Sequence, residues 1–257
     1  MTPAPPPESH PLSEPDATQL LLYCIVSASA AMPGDRRGVQ GGELRRISHG
    51  ELAAVVSPVP EPERVTAPTS ADLLDYEHAI RSQHAVSDVV PMRFGSVLSN
   101  EAQVREHLQA QRTPYLRALV RTAGCVEMGV RALLTPPPPP AAPEATPPAH
   151  SGAEYLKARQ RRYSSQGHSR QHREAVEQLL LSKVSALCRE HRAEFSTPRA
   201  GEPTLCSLYF LVPREQVAAF RTALSPLPSI EGATLSLSGP WPPYNFVEDP
   251  SGLSIAL

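Results

Sequence analysis

The sequence predicts an α+β fold in two domains: an N-terminal mixed α/β-sheet domain and a C-terminal ferredoxin-like domain, with a proline-rich linker. Short β-type runs alternate with helix-type stretches along the chain. From Cys125 onward they fall in the order strand, helix, strand, helix, strand, which suits a layer of helices on one sheet. Prolines crowd into two places where no packed element fits, residues 1–17 and 135–150. The expected organisation is therefore a disordered proline-rich tail at 1–17, a domain at 18–123, and a domain at 124–257 with a proline-rich insertion at 135–150.

Residues 1–17 carry Pro3, Pro5, Pro6, Pro7, Pro11 and Pro15 and hold too little apolar surface to offset the entropy of ordering. Leu20 to Val26 is a continuous apolar run, as in a strand buried on both faces. Leu44 to Ile47 and Leu52 to Ser57 read as two strands turned at His49-Gly50. Pro58, Pro60, Pro62 and Pro68 then stop regular structure until Ser70, which serves as N-cap of a helix reaching Asp88. Leu73, Tyr76, Ile80 and His84 form its apolar stripe. Val89 to Phe94 reads as a strand, and Pro91 within it marks an edge or an irregular turn.

Asn100 opens a helix with Val104 and Leu108 inward, and Thr113-Pro114 restarts a second piece with Leu116, Leu119 and Val120 inward. Gly124 ends it. Cys125 to Leu134 alternates, with Val126, Met128, Val130, Ala132 and Leu134 on one side and Glu127, Gly129 and Arg131 on the other. Thr135-Pro-Pro-Pro-Pro-Pro140 is a polyproline II spacer. A helix from Ser151 runs, with an interruption, to Phe195. Leu205 to Val212 is a strand, Arg214 to Leu224 a short helix with Val217, Phe220 and Leu224 inward, and Ala233 to Gly239 a strand alternating Leu and Ser.

Composition narrows the function. With 24 Lys and Arg against 26 Asp and Glu, the formal charge is −2, which gives no global attraction to nucleic acid or an anionic membrane. The local basic run Lys157, Arg159, Arg161, Arg162, Arg170 and Arg173, interleaved with Tyr155 and Tyr163, reads as a solvated helix face, a protein contact, or a weak RNA contact. The apolar stretch from Leu20 to Ala31 has no basic flank of the kind a signal peptide needs, and no run approaches the ~20 residues of a membrane span. A cytoplasmic protein is expected. Cys24, Cys125, Cys188 and Cys206 are widely separated, as buried free thiols are. His78 and His84 lie about 120° apart around a helix and cannot share a metal without outside ligands. Glu77, Arg81 and His84 can share one helix face. No G-x-S-x-G elbow, P-loop, G-x-G-x-x-G or H-E-x-x-H occurs in the sequence, so neither an enzyme nor a cofactor or metal site is expected.

Two stretches stand out. Arg93 sits between Met92 and Phe94, and in a buried strand its guanidinium needs a carboxylate, for which Glu127 is a candidate. The alternative is an arginine that binds a partner. Gly239-Pro-Trp-Pro-Pro-Tyr-Asn-Phe-Val247 holds the only tryptophan and, with three prolines, reads as a rigid extended strap. It either closes the core of its own domain or offers Trp241, Tyr244 and Phe246 to another protein.

This last segment resembles the GPWPPYSFV-type signature that closes the gas vesicle accessory proteins GvpL and GvpF. Ile47-Ser-His-Gly-Glu-Leu-Ala-Ala-Val-Val-Ser57 is similar to an early strand of that family, and Val90-Pro-Met-Arg-Phe-Gly-Ser-Val97 resembles its L-P-M-R-F-G-T-V segment, with Ser96 in place of threonine. The resemblance spans residues 18–247 apart from the proline-rich stretches. It implies a non-enzymatic accessory protein of gas vesicle assembly, located in the cytoplasm or on the vesicle. Such a protein binds the hydrophobic shell protein and other accessory proteins, with Arg93, Phe94, Trp241, Tyr244 and Phe246 as candidate partner-binding or structural residues. The other function class compatible with a ferredoxin-like domain is a regulatory module that binds a small molecule or RNA.

Overall fold

The structure is a computed structural model and describes residues 19–61, 63–135, 173–196, 203–228, 230 and 232–247. The expected N-terminal tail, nearly all of the proline-rich insertion and the basic run up to Arg170 lie outside them. The chain divides into two compact units, one reaching Val120 and the other spanning Arg121–Glu248.

The first unit is built on β1 (Leu20–Ser27), buried in all but its last residue, as its unbroken apolar sequence requires. A hairpin of β2 (Arg45–His49) and β3 (Leu52–Pro58) lies on one side, turning at Gly50 with φ 59°. On the other side β1 pairs with β4 (Val90–Pro91) and β5 (Val97–Leu98), so the order is β2-β3-β1-β4 with β5 also on β1. All these pairings are antiparallel. Pro91 does sit at a sheet edge, where its missing N–H costs nothing.

A short helix, α1 (Glu63–Thr66), interrupts the stretch expected to be irregular. The next helix, α2 (Ser70–Val86), is capped by Thr69 rather than Ser70. Thr69 Oγ1 accepts from the Asp72 N–H at 3.2 Å, and Asp72 Oδ2 accepts from the Thr69 N–H at 2.9 Å, a reciprocal capping box. The buried stripe is Tyr76, Ala79, Ile80, Gln83 and His84, whereas Leu73 is 45% exposed and does not belong to it. Asn100 caps α3 (Glu101–Ala110) as expected, accepting from the Gln103 N–H at 3.0 Å. Val104 and Leu108 are buried there. In α4 (Arg112–Thr122) the helix already begins at Arg112, and Pro114 is accommodated in its first turn. Tyr115 and Thr122 are buried there and Leu116 and Leu119 half-buried, while Val120 is 75% exposed and points away.

The second unit opens on β6 (Cys125–Leu134), after Gly124 at φ 67°. There follow helix α5 at residues 173–184, β7 (Glu190–Phe195), β8 (Thr204–Pro213), α6 (Val217–Ala223) after a short 3-10 turn, and β9 (Ala233–Trp241). The helix expected to reach Phe195 stops at residue 184. Glu190-His-Arg-Ala-Glu-Phe195 has no helical stripe; it pairs instead with β8 from Glu190↔Leu211 to Phe195↔Cys206. The strand order is β7-β8-β6-β9, with every neighbour antiparallel. Alternation then sorts the faces. Val126, Met128, Val130, Ala132 and Leu134 join Cys206, Leu208, Phe210 and Val212 in one core, which Val176, Leu180, Val184, Phe220 and Leu224 cover from the two helices. The opposite face carries Glu127, Gly129, Arg131 and Leu133 of β6 beside Leu205, Ser207, Tyr209 and Leu211 of β8.

Candidate functional site

The tail strap lies on that face, opposite the one that α5 and α6 cover. β9 is an edge strand, and Gly239 bends it with φ 101°. A Cβ at Gly239 would stand 2.7 Å from the Glu127 carbonyl oxygen, so only glycine lets the strap approach β6 this closely. Trp241 still pairs with Glu127 in the ladder. The chain then departs from the expected extended course: Tyr244–Phe246 forms a 3-10 turn, with the Phe246 N–H donating to the Pro243 carbonyl at 3.2 Å. That turn drives the Phe246 ring into a small buried cluster with Cys125 and Leu211, against Tyr209. Phe246 is wholly buried and therefore anchors the strap rather than touching a partner. Arg192 lies over the outer side of its ring, Cζ 5.7 Å from the centroid.

Glu127 fastens the turn. Its Oε2 accepts from the Asn245 N–H and its Oε1 from Asn245 Nδ2, each at 2.7 Å. Burial pushes the Glu127 carboxyl up, and the two donors of Asn245 act against that shift. Glu127 is thus a lock on the strap.

Between strap and sheet lies a hollow of about 170 Å³, lined by Trp241, Tyr244 and Tyr209 on its aromatic side and by Glu127, Arg131 and Ser238 on its polar side. Gly129 forms part of the lining, and any side chain there would meet Ser238 Oγ at 2.8 Å. Trp241 and Tyr244 are half-buried. Asn245, Tyr209 and Arg131 also line the hollow and are not among the site residues expected from the sequence. The signal was there: alternation puts Glu127 and Arg131 on the face opposite the core.

Arg93 and Phe94 belong to the first unit. The expected buried strand stops at Pro91, and Arg93 to Ser96 forms a turn with Gly95 at φ 91° and the Ser96 N–H donating to the Arg93 carbonyl at 3.3 Å. Arg93 is exposed, so the burial that called for a carboxylate is absent. The Tyr76 hydroxyl clasps the turn from beneath, 2.9 Å from the Arg93 carbonyl and 2.8 Å from that of Leu22. The half-buried Phe94 ring meets Tyr76 edge-on at 5.1 Å, and Tyr76 stacks on Tyr23 at 4.8 Å. In the sequence Tyr76 shows only as a member of the helix stripe, and nothing local marks this clasp.

Elsewhere the titratable groups serve the fold. Asp72 joins Thr69 to Arg64, whose Nη2 is 2.6 Å from Oδ1. His84 is buried, and the exposed His78 stands 3.7 Å from Asp35. Cys24, Cys125 and Cys206 are buried free thiols, and burial pushes Cys206 up to about 11, out of the reactive range. Among the described residues no three His, Cys, Asp or Glu side chains gather to hold a metal ion, and no helix is long and apolar enough to cross a membrane.

The family model described as gas vesicle synthesis protein GvpL/GvpF matches residues 19–248. The chain belongs to the GvpL/GvpF family. Gas vesicle protein L of Streptomyces sp. (strain CB03234) is 30% identical over 251 residues, covering 90% of this chain and 93% of that protein. Gas vesicle protein F2 of Halobacterium salinarum is 26% identical, with the same shares covered. Among solved structures, GvpF from Anabaena sp. PCC7120 superposes with a TM-score of 0.70 at 18% identity, covering 90% of this chain and 96% of that one. GvpF from Microcystis aeruginosa gives 0.69 at 14% identity, covering 90% and 99%. These likenesses establish the fold as that of GvpF. Membership of the GvpL/GvpF family supports a role for this chain in gas vesicle formation.

Proposed function

We propose that this chain is a non-catalytic assembly factor of gas vesicles that binds the hydrophobic shell protein and holds it until it adds to the growing wall. The observation that carries this reading is the aromatic hollow on the sheet face opposite α5 and α6. The half-buried Trp241, Tyr244 and Tyr209 border a glycine-lined depression, the composition that protein contacts favour. A shell protein with a large apolar face aggregates when free, and a partner that covers part of that face keeps it soluble. The exposed Arg93 and its neighbour Phe94 are proposed as a second contact, held in shape by Tyr76. Other accessory proteins of the same assembly are further partners, and the cytoplasm and the vesicle surface are the proposed locations.

The finer fold description belongs with this proposal. A β-α-β-β-α-β chain with order β7-β8-β6-β9 supports a ferredoxin-like second domain, and residues 18–123 and 124–257 are the proposed domains, the second containing the proline-rich insertion at 135–150.

Pull-down of the shell protein by the full chain tests the reading. Trp241→Ala is expected to abolish capture while far-UV circular dichroism and melting stay close to the parent. Undiminished capture by a folded Trp241→Ala variant would refute the assignment of the hollow.

A further inference from the structure

Four sheet edges are present among the described strands, and three are guarded. β2 carries Arg45, Arg46 and His49 and is tied to α3 by the Arg45–Glu101 ion pair and a 2.8 Å bond from His49 to Gln109. On the far side of β1 stand only two-residue strands, one containing Pro91. Along β7 lie Glu190, His191, Arg192 and Glu194. Charges, prolines and short strands are the usual means by which an edge avoids pairing with another chain.

The fourth edge, β9, has none of these over Ala233-Thr-Leu-Ser-Leu-Ser238. Its ladder phase can be read directly. The Thr135 N–H donates to the Gly232 carbonyl at 2.8 Å, and antiparallel pairing alternates. Gly232, Thr234, Ser236 and Ser238 therefore turn their backbone groups toward β6, and Ala233, Leu235 and Leu237 turn theirs outward. Both ends of this outward row are occupied. The Ala233 N–H donates to the Ile230 carbonyl at 3.1 Å, and the Gly239 carbonyl accepts from Arg221 Nη2 at 2.6 Å. Between them, the outward N–H and C=O groups of Leu235 and Leu237 have no partner among the described residues.

We propose that β9 pairs antiparallel with β9 of a second copy of this chain, about a two-fold axis through Ser236. In that register Leu235 faces Leu237 of the partner copy, so each outward N–H meets an outward C=O. Ala233 then faces Gly239, which sets the occupied N–H at one end opposite the occupied C=O at the other. The side chains match as well. Leu235 and Leu237 flank the helix-covered core, so the four leucines of a pair join on one face, while Thr234 meets Ser238 on the other. No charge on the strand opposes its own image, and isologous pairing of this kind closes on itself without leading to fibres. The inference stands on the edge geometry and is independent of the shell-protein reading, since it needs neither the hollow nor Arg93.

Ser236 is exposed and would sit opposite its own copy in a non-hydrogen-bonded pair, where Cα atoms are about 4.5 Å apart, within disulfide reach. In the full chain with Cys188→Ser, Ser236→Cys is expected to give a covalent dimer on mild oxidation, and Thr234→Cys, which faces Ser238, is not. Analytical ultracentrifugation of the parent should show a species of twice the 27.8 kDa chain mass. Ser236→Lys should weaken that association at least about tenfold with unchanged circular dichroism, because like charges directly opposite destabilise a sheet pair. A parent chain that stays monomeric at every concentration, a dimer that ignores Ser236→Lys, or equal cross-linking through Thr234→Cys and Ser236→Cys would each overturn the proposal. Capture of a foreign strand by β9 predicts the monomer and falls under the first of these.

Discussion

Glu127 shows how one side chain decides the shape of the site. Without Asn245 its carboxyl would be buried with little to offset the loss of water, and without Glu127 the strap would lose its fastening to β6. Because burial raises its pKa in the folded state, the fold binds more protons than the unfolded chain from the ordinary carboxylate pKa of 4.5 up to the raised one. Raising the pH through that window should lower the stability of the second unit, followed by Trp241 fluorescence during urea unfolding. Asn245→Ala removes the Nδ2 donor and should raise the Glu127 pKa further, a shift that an NMR titration of the carboxyl would show. Asp72 behaves in the opposite sense. Burial pushes its carboxyl up, but the Thr69 hydroxyl and N–H and the Arg64 guanidinium together outweigh burial and hold it below 3.8. Its contribution is therefore present above pH 3.8 and lost as pH falls through the depressed value. Asp72→Ala should cost about 2 kcal/mol at pH 7 through the lost cap and ion pair and flatten that acid limb, measured by circular dichroism.

At the scale of elements, the strap is two devices in one. Phe246 and Glu127 pin it, and Trp241 and Tyr244 border the hollow that it leaves. Phe246→Ala should destabilise the second unit by about 3–5 kcal/mol, the usual cost of emptying a buried phenylalanine site, and should impair partner capture only by loosening the strap. Elements with a strong period were legible in the sequence. The apolar run of β1, the alternation of β6, the apolar strand β8 and the Asn100 cap of α3 all stand where pattern and local chemistry place them. Elements set by distant contacts were not. β7 reads as the polar end of a helix because its charges lie on an edge strand that only pairing with β8 defines. The Arg93 turn reads as a strand in the sequence because the Tyr76 hydroxyl that clasps it comes from another element. Site legibility followed the same line: the aromatic strap was visible as a string, whereas the Glu127–Asn245 lock joins residues 118 positions apart.

For the molecule as a whole, the proposed work is contact with the shell protein, and the formal charge of −2 adds no global attraction to nucleic acid or an anionic membrane. Membership of the GvpL/GvpF family places that work in gas vesicle formation. A holding role makes a quantitative demand on co-expression: soluble shell protein should rise with this chain and fall back with Trp241→Ala. The most direct measurement is made in cells with a complete set of gas vesicle genes from which this gene is deleted, with intact vesicles counted by electron microscopy and the loss complemented by parent or variant. The account predicts no normal vesicles in the deletion, rescue by the parent, and failure of rescue by a stably folded Trp241→Ala. Normal vesicles in the deletion strain, or full rescue by that variant, would contradict it.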